Sequence, residues 1–188
     1  MRFNRVAFMR PRVKFYVPLE LPIPPTMFEH SAASVDAVWR PRVTVATVVC
    51  HEDRFLLVEE DIRGEIVLNQ PAGHLEQNET LLDAAVRETL EETGWTVELT
   101  DFIGAYQWNT SDRSAEYLRF TFAARPLRHD AQRLLDDGIV RALWLTREEI
   151  AGQTNRHRNP MVLGNIDDWL AGKRYPLDVV RSYLCVRP

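Results

Sequence analysis

From Arg42 onward the chain alternates between short apolar runs and polar breaks. Residues 42–50, RVTVATVVC, are rich in β-branched side chains and predict a strand. His51-Glu52-Asp53 reads as a polar turn, and residues 54–60, RFLLVEE, as a second strand. Arg63-Gly64 marks another turn before a short extended piece at 65–68. Then the period changes. Within residues 81–93, Leu82, Ala85, Val86 and Thr89 fall at i, i+3, i+4 and i+7, the core-facing stripe of a helix. Thr80 with Asp83 predicts a capping box at its start, and Gly94 supplies a left-handed stop, so the helix ends near Thr93. Residues 95–99 and 102–108 predict two strands, 109–115 a hairpin loop, and 116–124 an alternating strand with Tyr117, Phe120 and Phe122 among polar neighbours. Residues 125–138 read as a loop rich in Arg and Asp, and 139–145 as a last strand. Thr146 with Glu149 predicts a second capping box. Asn159-Pro160 reads as the cap and first residue of a helix ending near Gly172, with Met161, Val162, Ile166, Trp169 and Leu170 mostly in the core.

Residues 1–40 break from this pattern. Arg2, Arg5, Arg10, Arg12 and Lys14 precede the first acid, Glu20, and Pro11, Pro18, Pro22, Pro24 and Pro25 oppose any helix. The expectation is a partly ordered N-terminal extension over 1–40, followed by one domain over 41–183. Two other readings stay open: Met27 as the true start with the upstream part over-called, and a basic arm. No apolar stretch there is long enough for a secretory signal core.

The whole chain has 188 residues, 45% of them hydrophobic, which suits one globular domain. A net charge of −4 gives no general basic field, so nucleic acid is not expected as a partner. No run approaches the roughly 20 apolar residues that span a bilayer, so no membrane role is expected. Cys50 and Cys185 match no zinc spacing; Cys50 reads as a buried thiol, and a reducing cytoplasm is the expected location.

The predicted helix also carries chemistry. Glu88, Glu91 and Glu92 stand at i, i+3 and i+4 and share a face. Like charges so placed repel, which makes sense if a hard cation sits among them. Oxygen-only ligands suit Mg²⁺ or Mn²⁺ rather than zinc, and Mg²⁺ is usually shared with substrate phosphates. Glu79 and Arg87 lie about 80° apart around the helix, near enough to pair.

Gly73, Glu79, Arg87, Glu88, Glu91, Glu92 and Gly94 fill every identity position of the pattern G-x5-E-x7-R-E-U-x-E-E-x-G-U, where U is bulky and apolar. The stretch therefore resembles the Nudix box. Thr89 and Trp95 depart from the aliphatics usual at two softer positions. NQPAGHLE, with Pro71-Ala72-Gly73-His74 where Pro-Gly-Gly is frequent, and RYPLDVVRSYL resemble the NudJ-like phosphatase branch.

The resemblance covers roughly residues 41–180. It implies the α/β class: an α/β/α sandwich, a mixed β-sheet between helices with the box as loop–helix. It implies a Mg²⁺-dependent hydrolase, Mn²⁺ being possible. The substrates it implies are nucleoside tri- and diphosphates or related organic pyrophosphates, including that of the thiamine precursor, with orthophosphate released.

By the same resemblance the Gly73 carbonyl, Glu88, Glu91 and Glu92 hold the metal. Glu88, Glu91, Arg87 and Glu79 form the catalytic set, with Arg87 orienting Glu79 or another box acid. A late-loop acid, Asp136 or Asp137, joins the metal or acts as base; no spacing rule selects one, and plain turn aspartates before Gly138 are the other reading.

Outside the box, Trp108 is a platform for a ring or a rim tryptophan. Arg119 binds phosphate or, the preferred reading, pairs with a carboxylate on an exposed face. His74 contacts phosphate or makes an ordinary backbone bond. The implied partner is a small di- or triphosphate, and the assembly a monomer or homodimer. Three other functions remain open: a pyrophosphohydrolase releasing nucleoside monophosphate, a diphosphate isomerase, and a non-catalytic nucleotide-diphosphate sensor. A sensor is expected to lose box acids, and all are kept here.

Overall fold

The computed structural model describes residues 39–184, so the readings of residues 1–38 and of Cys185 lie outside the described residues. The strands are β1 (Arg42–His51), β2 (Arg54–Ile62), β3 (Glu65–Asn69), β4 (Ala72–His74), β5 (Trp95–Asn109), β6 (Glu116–His129) and β7 (Ile139–Thr146). The helices are α1 (Leu81–Thr93), α2 (Arg147–Ala151) and α3 (Met161–Leu170).

β1, buried along its β-branched middle, is the central strand. It runs parallel to β6, from Arg42↔Tyr117 to Val49↔Ala124, and antiparallel to β4. β6 pairs antiparallel with β5. β2 carries β3 on one side and β7 on the other, and joins β1 through Cys50↔Phe55 and His51↔Arg54. The sheet is thus mixed. Successive side chains of a strand point to opposite faces. Val45 packs with Ala84 and Ala85 of α1 and with Phe122, whereas Val48 packs with Val162 and Ile166 of α3 and with Ile103 and Ala123. Helices therefore cover both faces, the α/β/α sandwich that the sequence leads one to expect.

Thr80 is the N-cap of α1, its Oγ1 accepting the Asp83 N–H at 3.1 Å, and Gly94 closes the helix at φ 69°. The box is only half formed: the Thr80 hydroxyl donates to the Asp83 carboxylate at 2.7 Å. At Thr146 both halves of a capping box are present.

Several expectations need correction. Residues 95–99 and 102–108 are one strand, because register shifts at Leu99/Asp101 and Phe102/Gly104 absorb the polar interruption without a turn. Residues 125–129 belong to β6 and not to a loop. Pro126 is tolerated there because it lies past Val49↔Ala124, the last pair with β1. The buried stripe of α1 is Ala84, Ala85, Glu88, Thr89, Glu92 and Thr93, with Leu82 and Val86 only half-buried. The helix thus buries two box acids and the box threonine. α3 starts at Met161, one residue later than expected, with the Asn159 Oδ1 accepting the Met161 N–H at 3.0 Å. Leu170 is exposed and Trp169 half-buried, so the core share of α3 is Met161, Val162 and Ile166. Cys50 is half-buried and free, and burial raises its pKa.

Candidate active site

β4 brings the loop that ends it against α1. A Cβ at Gly73 would lie 2.1 Å from the Glu88 carboxylate, so any larger residue there must displace that carboxylate. From α1, Arg87 reaches back over this loop. Its Nε and Nη2 donate to the two Glu79 oxygens at 2.7 and 2.9 Å. Its Nη1 donates to Glu88 and Glu91 at 2.8 and 2.9 Å, and Nη2 also donates to the His74 carbonyl at 3.1 Å. One guanidinium therefore gathers three carboxylates and pins the loop. The hydrogen bond from Arg87 holds Glu79 below the usual carboxylate range, and the same pairing raises the arginine's own pKa.

Glu88 is 8% exposed, and burial pushes its pKa up against the pull of Arg87. The Asp136 N–H donates to the Glu91 carbonyl at 3.2 Å, which draws the 130–138 loop onto the C-terminal turn of α1. One carboxylate oxygen from each of Glu88, Glu91 and Asp136 then lies within 4.8 Å of the others. Three carboxylate oxygens converging from two elements fit a hard divalent cation, for which an all-oxygen donor set is suited. Of the two aspartates left open by the sequence, Asp136 is the one brought to the box acids; Asp137 lines the adjoining cavity. Glu92 points elsewhere. It accepts the Ala72 N–H at 2.8 Å, and burial pushes its pKa up to about 9.

The cavity beside the acids measures about 470 Å³. Gly73, His74, Glu92, Trp108, Arg119 and Asp136 are among its walls. Trp108 packs on Tyr117 with ring centroids 5.3 Å apart. Partial burial, then the Arg42 and Arg119 cations, lower the His74 pKa. The preferred reading of Arg119 fails. It is 6% exposed, lies on no open face, and has Nε and Nη1 without a partner; burial pushes its pKa down to about 10. Strand alternation shows that Arg119 is opposed to Phe120, but not that its face closes over a cavity.

Sequence reasoning also missed other polar residues of that cavity, among them Thr44, Glu60, Asn69 and Arg158. Asn69 opens the NQPAGHLE string, the one signal the sequence held for it.

The chain matches the NUDIX domain model over residues 40–164. Phosphatase NudJ of Escherichia coli (strain K12) is 41% identical over 146 residues, which covers 78% of this chain and 94% of that protein. A NUDIX hydrolase structure from Nitrosomonas europaea has 48% identity and a TM-score of 0.75, covering 77% of this chain and 98% of its own. The MutT protein of Methanosarcina mazei Go1 shares the fold, at a TM-score of 0.58 and 20% identity, over 73% of this chain and 100% of its own.

Proposed function

We propose, from the premise that this chain belongs to the Nudix family and is an enzyme acting on pyrophosphate bonds, that it is a Mg²⁺-dependent phosphatase of organic di- and triphosphates. Its substrates on this reading are nucleoside tri- and diphosphates or related pyrophosphates such as that of the thiamine precursor, and orthophosphate leaves. The observation that carries the reading is the convergence of Glu88, Glu91 and Asp136 on one point beside the cavity. Support for orthophosphate release comes from the relative named Phosphatase NudJ.

In this reading Glu88 and Glu91, with the Gly73 carbonyl, would hold the cation, Asp136 joining them from the late loop, while Glu92, turned to the Ala72 N–H, stands outside the ligand set the resemblance implied. Mn²⁺ is an alternative occupant. A bound divalent ion supplies charge neutralisation for phosphate oxygens and acidifies water. Arg87 and Glu79 do positioning work: the arginine holds three carboxylates in place against their mutual repulsion. One of the carboxylates takes the proton of the attacking water. Arg119, His74 and Trp108 bind the rest of the substrate from the cavity walls. A reducing cytoplasm suits the free Cys50 thiol.

The test is a substrate panel with Mg²⁺, reading which bond breaks. Orthophosphate from nucleoside di- and triphosphates supports the phosphatase. Nucleoside monophosphate with pyrophosphate identifies a pyrophosphohydrolase instead, and binding without turnover identifies a sensor.

A further inference from the structure

Trp95 stands at the last box position, where an aliphatic is usual, and its indole makes contacts no aliphatic can make. It stacks on His129, its register partner at the end of β6, with ring centroids 4.8 Å apart and planes 23° from parallel. It also meets Trp144 of β7 edge to face, with centroids 5.6 Å apart. β6 leads into the 130–138 loop and β7 leads out of it. One indole therefore touches the strands on both sides of the loop that carries Asp136.

The middle of that loop has no packing of its own. Residues 131–134 are exposed, Leu134 at 91%. Its ends are tied down. The Asp130 N–H donates to the Gly94 carbonyl at 2.9 Å, and a Cβ at Gly94 would meet the Asp130 carbonyl at 2.8 Å. The Gly138 carbonyl accepts the Asp61 N–H at 2.8 Å. Asp136 itself bonds the Glu91 carbonyl, one of the last four of α1, which lack partners within the helix. Where Asp136 sits thus follows from how firmly the loop ends are held. A leucine or valine at position 95 fills the core cluster of Val49, Leu56, Val97 and Ala124 but presents no flat face to the exposed His129 ring.

We propose that the Trp95–His129 stack anchors the 130–138 loop and that both residues position Asp136 against Glu88 and Glu91. They are positioning residues, standing outside both the cavity walls and the carboxylate cluster. The proposal rests on the hydrolytic reading above, in which Asp136 joins the box acids. A stack that merely stabilised the domain would loosen every element alike when lost; an anchor loosens the loop alone.

Amide hydrogen exchange of the metal-free protein tests the anchor without recourse to activity. His129→Ala is expected to speed exchange of the Asp130 and Asp136 amides by roughly three- to ten-fold, the range set by one aromatic pair, while the α1 amides keep their wild-type rates. His129→Phe restores a stacking ring and with it the slow exchange. Trp95→Leu is expected to act like His129→Ala; should it fail to fold, the exposed His129 still answers the question. Unchanged exchange at Asp130 and Asp136, or an equal rise along α1, overturns the proposal.

Kinetics tests the link to Asp136. His129→Ala is expected to lower kcat about ten-fold with KM little changed, and to raise the Mg²⁺ concentration that gives half-maximal rate. In an Asp136→Asn background the same change is expected to cost less than about two-fold. An equal cost in both backgrounds overturns the positioning role. Wild-type turnover by Asp136→Asn overturns the part given to Asp136 in the hydrolytic reading, and the exchange rates still decide the anchor.

Discussion

Arg87 and Glu79 are locked in a two-bond clasp, Nε and Nη2 to the two oxygens of one carboxylate at 2.7 and 2.9 Å. The same guanidinium spends its remaining donors on Glu88, Glu91 and the His74 carbonyl, so the clasp fixes both the box helix and the loop before it. A lysine keeps the charge but not the fork. Arg87→Lys is expected to lower kcat by about 10–100-fold, the range for groups that orient ligands rather than react. The thermal midpoint should move by only a few degrees. Steady-state kinetics beside a melting curve check this.

Gly73 has no left-handed backbone to explain it; its constraint is the Glu88 carboxylate. Gly73→Ala is expected to displace that carboxylate and cut kcat/KM by about 10² or more, a loss of roughly 2.7 kcal/mol in transition-state stabilisation. Comparing Gly73→Ala with Gly152→Ala, where the nearest atoms lie at 3.5 Å, separates this clash from a general effect of the substitution.

Thr89 replaces an apolar packing contact with a polar one. Its hydroxyl meets Thr47 Oγ1 at 2.8 Å, within reach of the Ala85 carbonyl at 2.7 Å, and both threonines are fully buried. Thr89→Val alone strands the Thr47 hydroxyl and is expected to cost about 1–2 kcal/mol. The double variant Thr47→Val, Thr89→Val removes both partners and should recover most of that loss. Chemical denaturation of the three proteins gives the coupling directly.

Glu59 is one source of the acid dependence of stability. Hydrogen bonds from Arg141 and then Arg156, at 2.7 and 2.6 Å, hold its pKa below the ordinary value of 4.5. A carboxyl depressed on folding contributes stability that is fully present above its unfolded pKa and is lost as pH falls through the folded one. Wild-type protein should therefore lose stability on acidification below about pH 4.5. Glu59→Gln should be less stable at pH 7 by roughly 2 kcal/mol, with a flatter fall toward pH 3. Melting curves across that range decide it.

Local chemistry was readable from the chain; long-range closure was not. Thr80 and Gly94 bracket α1 because caps act within a turn of the helix, and the i, i+3, i+4 spacing of Glu88, Glu91 and Glu92 places them on one side. Which of the three faces the carboxylate cluster depends on tilt against the sheet, and there Glu92 turns to the Ala72 N–H while Asp136 arrives from 45 residues beyond Glu91. No local rule chooses Asp136 over Asp137. Arg119 was misread for a related reason: an arginine on an alternating strand is ordinarily solvated, and only the distant ends of β2 and β3 complete a cavity beside it. The Arg-rich end of β6 looked like a loop because a strand paired on one side alone tolerates charge and proline.

The most direct test of the carboxylate cluster is the Mg²⁺-dependent turnover of Glu91→Gln, measured on protein with an unchanged circular dichroism spectrum. The account predicts a loss on the order of 10³ or more, because the amide keeps the shape and removes the charge. Turnover near that of the wild type would contradict it.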